Sequence, residues 1–193
     1  MGETAKERAG GAQDAIRRAV LRLAARKPLH KISVTEICRE APVHRSTFYK
    51  YYGSPYDVMG EIRRLLVAHT AESVMQSLQA GANMHDALCN ALKYVRENQE
   101  TVRLLLKLGD YSLFQEVKDQ LPDFHSVLLA SLPAAMPQAE KQACASFVQF
   151  GALHLLLEWV ETGCSTSPEE EVTLLFSVLG RTLRPEEMIF TKL

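Results

Sequence analysis

Hydrophobic residues recur every three or four positions along most of the chain, which is the period of an α-helix. In the first such segment, residues 12–26, one face is formed by Ile16, Val20, Leu23 and Ala24. No segment of the sequence alternates apolar and polar residues as a half-buried strand does. The pattern therefore predicts an all-α protein of about nine helices.

The helix boundaries are marked most clearly in the first third of the chain. Pro28 should end the first helix, because its ring cannot continue the hydrogen-bond ladder. Ser33 and Glu36 have the spacing of a capping box, which predicts that a second helix begins there. Pro42 should end that helix, since the residue before a proline disfavours helical geometry.

A third, short helix is predicted over residues 44–51. Its inner face is supplied by Val43, Phe48 and Tyr52. Two short helices joined by a tight turn are the layout of a helix-turn-helix, here over about residues 32–51, whose second helix enters the DNA major groove. The residues alone also allow an ordinary helical hairpin with polar side chains outside.

The outward side chains of this third helix suit DNA chemistry. They are His44, Arg45, Thr47, Lys50 and Tyr51. Arg45 can pair in a fork with N7 and O6 of guanine. Hydroxyl groups of Ser46, Thr47 and Tyr49 can donate to phosphate oxygens, and Lys50 adds a positive charge beside the backbone.

The remaining sequence predicts further helices. The expected ranges are about 54–78, 86–98, 101–108, 112–132 with an interruption at Pro122, 138–162 and 168–181. The large apolar residues of the last two helices suggest burial against a second subunit, although packing within one subunit would use the same residues. These are Phe147, Phe150, Leu153, Leu157 and Val160, followed by Val172, Leu175, Phe176 and Leu179.

Charge is divided unevenly along the chain. Residues 1–70 contain thirteen Lys and Arg against seven Asp and Glu, a net charge of +6, which leaves −7 for the rest of a chain whose total is −1. This division suggests that one end faces phosphate, and it is also compatible with a chance imbalance on solvated helices.

Composition narrows the class of protein. Hydrophobic residues make up 47% and charged residues 23%, as in ordinary globular domains. The polar first residues and the lack of about 18 uninterrupted apolar residues lead us to expect no secretory signal and no membrane span. The four scattered cysteines favour reduced thiols in a cytoplasmic protein over a zinc site or disulfides. We expect no metal ion and no other cofactor.

Residues 31–41 and 43–52 resemble the TetR/AcrR family of bacterial transcriptional regulators. The match is without gaps over about residues 9–69 and includes the capped second helix and the run Thr-Phe-Tyr-Lys-Tyr-Tyr at positions 47–52. It implies a DNA-binding domain at 9–69 and a regulatory and dimerisation domain at 70–193. Within the recognition helix, His44 to Tyr51, it implies base contacts by Arg45 and Ser46.

The resemblance also implies further DNA contacts, and this sequence differs from the family pattern at two positions. Thr47 and Tyr49 correspond to positions that contact phosphate or base, and Thr35 lies near the start of the preceding helix, from which side chains also reach DNA. The family usually has glycine where this chain has Pro42, so we expect the left-handed turn that glycine permits to be unavailable. Pro55 replaces a lysine that meets a phosphate in many members, and backbone amides at the capped helix start are expected to replace part of that contact.

In a TetR-like protein, the helices after the fourth form a bundle that dimerises, here through residues 138–162 and 168–182, and often encloses a small-molecule effector. Polar-tipped or aromatic candidates for such a pocket are Tyr94, Phe114, His125, His154 and Trp159. His154 and Glu158 lie four residues apart and suit a polar anchor or part of a metal site. Each of these residues could equally belong to an ordinary core or interface.

The expected function is a cytoplasmic, bacterial, dimeric repressor that binds palindromic operator DNA and is released by a small-molecule effector. The alternative is a TetR-fold coactivator or adaptor that acts mainly through a protein partner. We do not expect an enzyme, because the sequence has no nucleophile elbow, glycine-rich phosphate loop or H-E-x-x-H metal motif.

Overall fold

The computed structural model describes residues 5–107, 112–120, 126, 128–130 and 132–182. These residues form α-helices and one 3-10 helix and contain no strand, which confirms the predicted all-α class. The helices are α1 Ala5–Ala24, α2 Val34–Glu40, α3 Arg45–Tyr51, α4 Pro55–Gln79, α5 Met84–Glu97, α6 Gln99–Leu106, α7 Ser112–Gln120, α8 Gln138–Glu161 and α9 Pro168–Thr182, with the 3-10 helix at Leu29–Lys31. Residues 126 and 128–130 are also helical.

The chain divides into two compact units. The first consists of Met1–Leu66 together with Arg103–Asp110, and the second of Val67–Val102 and Tyr111–Leu193. Helix α4 contributes residues to both units. Residues 103–110 group with the first unit although they follow α5 in the chain.

The first unit is built around the inner faces of α1 to α4. Ile16 and Val20 of α1 and Ile37 of α2 are fully buried, as the helical period predicts. Two ion pairs between charged groups at the surface join α1 and the segment after it to α2: Arg22 Nε to Glu40 Oε1 at 2.7 Å, and Lys27 Nζ to Glu36 Oε1 at 2.6 Å.

In the second unit, α9 packs against both α5 and α8. One small core is formed by Val74, Ala87 and Ala91, and another by Leu128, Ala145 and Val148 with Leu129 and Leu179 against them. Polar contacts also join α5 to α9, where Lys93 Nζ lies 3.0 Å from Glu169 Oε1 and His85 Nε2 lies 3.3 Å from Thr173 Oγ1.

Helices α4 and α8 end in the same way. Gly81 and Gly163 take φ values of 90° and 96°, the left-handed conformation that favours glycine. At each end two backbone bonds close the motif. After α8 they run from Gly163 N–H to Val160 O at 3.1 Å and from Cys164 N–H to Trp159 O at 2.8 Å. After α4 they join Gly81 and Ala82 to Leu78 and Ser77.

Helix α8 is unusually apolar. Among the described residues it is the single helix long and apolar enough to cross a membrane, with a mean hydropathy of 1.4 over an 18-residue window of which 33% is buried. One such helix is weak evidence of a membrane span, since helices of globular proteins pass the same test. Its large exposed surface means instead that burial within this subunit does not account for its composition.

Candidate nucleic-acid interface

Buried aromatic side chains pack α3 and the residue after it into the first unit. Phe48 is fully buried, with the Tyr52 ring 5.8 Å away and the Tyr49 ring edge-on at 5.5 Å, measured between ring centroids. The predicted inner residues Phe48 and Tyr52 are therefore buried, whereas Val43 is only half-buried. Because α3 has seven residues, too few to be stable as an isolated helix, this packing fixes its orientation.

The start of α2 has the predicted capping box. Ser33 Oγ accepts from the Glu36 N–H at 3.3 Å, and the Glu36 carboxylate accepts from the Ser33 N–H at 3.0 Å. The same carboxylate is paired with Lys27. The hydrogen bond from Lys27, followed by those from the Ser33 amide and hydroxyl, lowers the pKa of Glu36 to about 2. One carboxylate thus both caps α2 and links it to the end of α1.

The turn between α2 and α3 corrects one expectation. Pro42 takes φ 23°, on the left-handed side, so the turn keeps the geometry that the proline was expected to exclude. Val43 N–H donates to Cys38 O at 3.1 Å. This bond at the end of α2 corresponds to the bond from Ala82 to Ser77 after α4 and from Cys164 to Trp159 after α8. The second bond would come from residue 42, and proline has no N–H to donate. The turn therefore keeps the first of these two bonds and lacks the second.

The hydroxyl of Tyr52, the residue that follows α3, is bonded inside the first unit. The Tyr52 hydroxyl donates to the Glu61 carboxylate, which also pairs with Arg17 Nη1 at 3.1 Å, while Arg17 contacts Asp14 as well. Burial, then the hydrogen bond to Glu61 and its negative charge, raise the pKa of the Tyr52 phenol. The network joins α1, α3 and α4, and its members are too far apart in sequence for helical spacing to reveal it.

Most of the predicted DNA contacts lie on the surface. Thr35, His44, Arg45, Ser46, Tyr49 and Lys50 are exposed, while Thr47 and Tyr51 are half-buried. Two cations rest on neighbouring rings: the Arg45 guanidinium lies 5.9 Å from the centre of the Tyr49 ring, and Lys50 Nζ lies 5.4 Å from that of Tyr51. The structure thus places a cluster of cations, hydroxyls and aromatic rings on and beside one short helix.

Near the start of α4, two of the backbone amides beside Pro55 are already bonded within the protein. The Gly53 and Ser54 amides donate to Asp57 Oδ2 at 2.9 and 3.1 Å, so this carboxylate already occupies them. A Cβ atom at Gly53 would lie 3.0 Å from the same oxygen. A side chain at position 53 would therefore require the Asp57 carboxylate to shift by a few tenths of an ångström.

The candidate effector residues occupy different surroundings. Tyr94 is half-buried and stacks on His69, with ring centroids 4.7 Å apart, and burial followed by the charge of Glu97 raises its pKa. Trp159 is buried, and its indole N–H donates to Thr166 O at 3.2 Å, so its polar tip is already used. His154 and Glu158 are exposed on α8. The side chain of Phe114 and the whole of His125 lie outside the described residues.

Histidine, cysteine and acidic side chains are scattered over the described part of the chain. No group of three or more His, Cys, Asp or Glu side chains there is arranged to hold a metal ion. The four cysteines are free thiols, and burial raises the pKa of Cys38 and Cys89.

Comparison with solved structures shows the fold. A TetR transcriptional regulator from Streptococcus agalactiae 2603V is 20% identical, with a TM-score of 0.69 over 90% of this chain and 96% of that one. Thermus thermophilus FadR, described as a TetR family transcriptional repressor in complex with lauroyl-CoA, is 19% identical, with a TM-score of 0.56 over 92% and 97%. The dihydroxyacetone kinase operon activator DhaS is 16% identical, with a TM-score of 0.58 over 89% and 96%.

Sequence comparison identifies the family. A search of curated proteins finds no significant match. A TetR-type family model described as "Transcriptional regulator C-terminal region" matches residues 82–181, which is more than half of the chain. Together with the all-helical fold, this match shows that the chain belongs to the TetR family of transcriptional regulators.

Proposed function

We propose that this regulator is a homodimer that binds palindromic operator DNA through α3 and represses transcription until a small-molecule effector releases it. In this proposal residues 9–69 bind DNA, residues 70–193 dimerise and bind the effector, and the protein acts in the bacterial cytoplasm. The observation that supports it most is the combination of a fully buried Phe48 under α3 with exposed Arg45, Tyr49 and Lys50 on its outer side.

This arrangement suits recognition of a duplex. A fixed helix presents its side chains in one register, so Arg45 can reach a guanine edge while Lys50 and the hydroxyls meet phosphates. The Arg45–Tyr49 contact holds the guanidinium against the helix surface before DNA is bound. The positive charge of residues 1–70 attracts DNA over a longer range.

Exposed apolar residues on the last two helices support dimerisation. Phe147 on α8 is 71% exposed, and Leu174 and Phe176 on α9 are 52% and 40% exposed. By contrast Val160, Val172 and Leu175, which the sequence left open between an interface and the core of one subunit, are buried within the subunit. We therefore place the dimer contact on the Phe147 side of α8 and the Leu174–Phe176 side of α9, where a second copy would cover them.

The effector is proposed by family analogy rather than from a shaped pocket. Tyr94, His154 and Trp159 remain candidates together with Phe114 and His125. Since the structurally similar FadR is in complex with lauroyl-CoA, long-chain acyl-CoA thioesters belong in the first set of compounds tested for release of DNA. Only compounds that bind the DNA-free conformation more tightly will shift the equilibrium.

Selection of bound fragments from a random duplex pool tests DNA binding and symmetry together. The proposal expects enrichment of a palindrome with half-sites spaced by about one helical turn, roughly 34 Å, or a multiple of it. A protein that acts as a coactivator or adaptor through a protein partner would enrich no sequence. Enrichment of a single, unrepeated site would overturn the dimer model while keeping DNA binding.

Lys50→Ala separates phosphate contact from base reading. Each subunit loses one phosphate contact, so a dimer loses two, and the slope of log K against log salt should flatten by about 1.8. When salt is raised from 50 to 200 mM, the factor by which affinity falls should therefore be about 12 times smaller for Lys50→Ala than for the wild type. Arg96→Ala, which removes an exposed cation of the second unit, is the control and should leave the slope unchanged. If Lys50→Ala weakens only one sequence, Lys50 contacts a base.

A further inference from the structure

The first unit contains a cleft that none of the proposed DNA or effector residues lines. It has a volume of about 470 Å³ and lies between the end of α1, the turn after it, the start of α4 and the end of α6. This volume falls within the range of small-molecule binding sites. Leu104 and Lys107, which belong to the first unit although they follow α5 in the chain, supply one wall of the cleft.

The walls of the cleft are positively charged. Among the described residues that line it, Arg26, Lys27 and Lys107 are charged, and none is an aspartate or glutamate. Lys27 is paired with Glu36, so the excess positive charge comes from Arg26 and Lys107, both exposed. The imidazole of His30 adds a further polar group at the same wall. These groups favour an anion.

The rest of the lining is apolar. Met59 is 1% exposed and Leu29 is 6% exposed, so they form a buried floor, and half-buried Leu104 lies beside them. The Tyr56 ring stands at the edge and is 55% exposed. A simple inorganic anion, or a phosphate of a DNA duplex, would meet the cations and leave the Tyr56 ring and Leu104 uncovered. A ligand with an apolar part would cover them and gain from the burial.

We propose that this cleft binds a small amphipathic anion. Its carboxylate, phosphate or sulfonate lies between Arg26 and Lys107, and its apolar or aromatic part lies against Tyr56 and Leu104. The cleft shares no lining residue with the effector candidates Tyr94, Phe114, His125, His154 and Trp159. It does not depend on DNA binding, so failure of one proposal leaves the other standing.

The test uses the full-length protein and 8-anilinonaphthalene-1-sulfonate, an anion with apolar rings. Because this probe also binds other apolar surfaces, the readout is local: protection of the Lys107 amine from acetylation, measured by mass spectrometry of peptides. We expect saturable protection of Lys107 and no protection of Lys50. Methanesulfonate, which has the charge without the rings, should need at least a tenfold higher concentration.

Charge reversal gives a second measurement. Arg26→Glu should raise the concentration for half-protection of Lys107 at least tenfold, while the matched control Arg39→Glu, an exposed cation of the same unit outside the cleft, should change it less than twofold. The proposal is overturned if the probe at 1 mM gives no protection of Lys107, or if methanesulfonate protects equally well. It is also overturned if duplex DNA alone protects Lys107, since the cations then belong to a DNA interface. Both ligand arms use the wild-type protein, so they decide the matter even if Arg26→Glu does not fold.

Discussion

Tyr52→Phe removes a single hydroxyl from beneath the proposed recognition helix. The residue is 6% exposed, and its hydroxyl donates to Glu61, which also pairs with Arg17. A hydrogen bond to a charged acceptor contributes about 1.5–3 kcal/mol. Because Glu61 keeps Arg17, its carboxylate is not left alone, and we expect the lower end, a loss of about 1.5 kcal/mol in the free energy of unfolding at pH 8.

The pH dependence makes this prediction specific. The pKa of Tyr52 is raised in the folded protein, chiefly by burial, so the folded state keeps the phenol proton at a pH where the unfolded chain, with a pKa of about 10, loses it. Stability from this group is therefore fully present below pH 10 and is lost as the pH rises above it. By pH 11 the wild type should lose about 1.4 kcal/mol that Tyr52→Phe does not lose.

The measurement is urea unfolding of both proteins at one fixed protein concentration, at pH 8, 10 and 11. The difference between the two free energies should shrink towards zero across this range. Tyr49→Phe is the matched control, because Tyr49 also packs beside Phe48 but is 52% exposed. A difference that stays constant from pH 8 to 11 would refute the assignment of the buried hydrogen bond.

Three further substitutions test other parts of the first unit. Glu36→Gln should destabilise the protein at neutral pH, and the difference should vanish as the pH falls from about 4.5 towards 2, because the lowered pKa of Glu36 stabilises only the ionised form; acid titration followed by circular dichroism measures this. Pro42→Gly should raise the free energy of unfolding by about 1–2 kcal/mol, because relief of a positive φ and a regained N–H outweigh the added entropy of the unfolded chain. Pro42→Ala should be stabilised less than Pro42→Gly. A glycine variant less stable than the wild type would contradict this account of the turn. Arg45→Ala should weaken binding to the selected operator by about 1–3 kcal/mol and relax base preference at one position, and an unchanged sequence profile would exclude Arg45 as a base-reading residue.

Local signals in the sequence predict most helix boundaries and buried positions of the first unit. The capping box at Ser33, the stop at Pro28 and the burial of Phe48 all follow from short-range rules, because they depend on neighbours within one or two helical turns. The positive φ of Pro42 was not predictable in this way. The turn lies between α2 and α3, which both pack on α1, and its positive φ runs against the preference of proline.

In the second unit, helical periodicity does not indicate which face of a helix is buried. Helix α8 is apolar on most sides, so its sequence does not distinguish the buried Val148 and Val160 from the exposed Phe147. Only packing against α9 and residues 128–129 separates an inner face from a face available to a partner. The same limit applies to the effector candidates, since a helical period cannot show that the indole of Trp159 is bonded to Thr166.

By itself, the sequence determined the helical class, the positions of the helices in the first unit and the surface that faces outward on α3, because each depends on local spacing. The tertiary structure decided which distant groups meet. It brought Arg17, Tyr52 and Glu61 together under α3, returned Lys107 to the cleft beside Arg26, and left Phe147 uncovered. The physical reason is that burial and charge pairing between residues far apart in the chain depend on how helices pack, which no local pattern records.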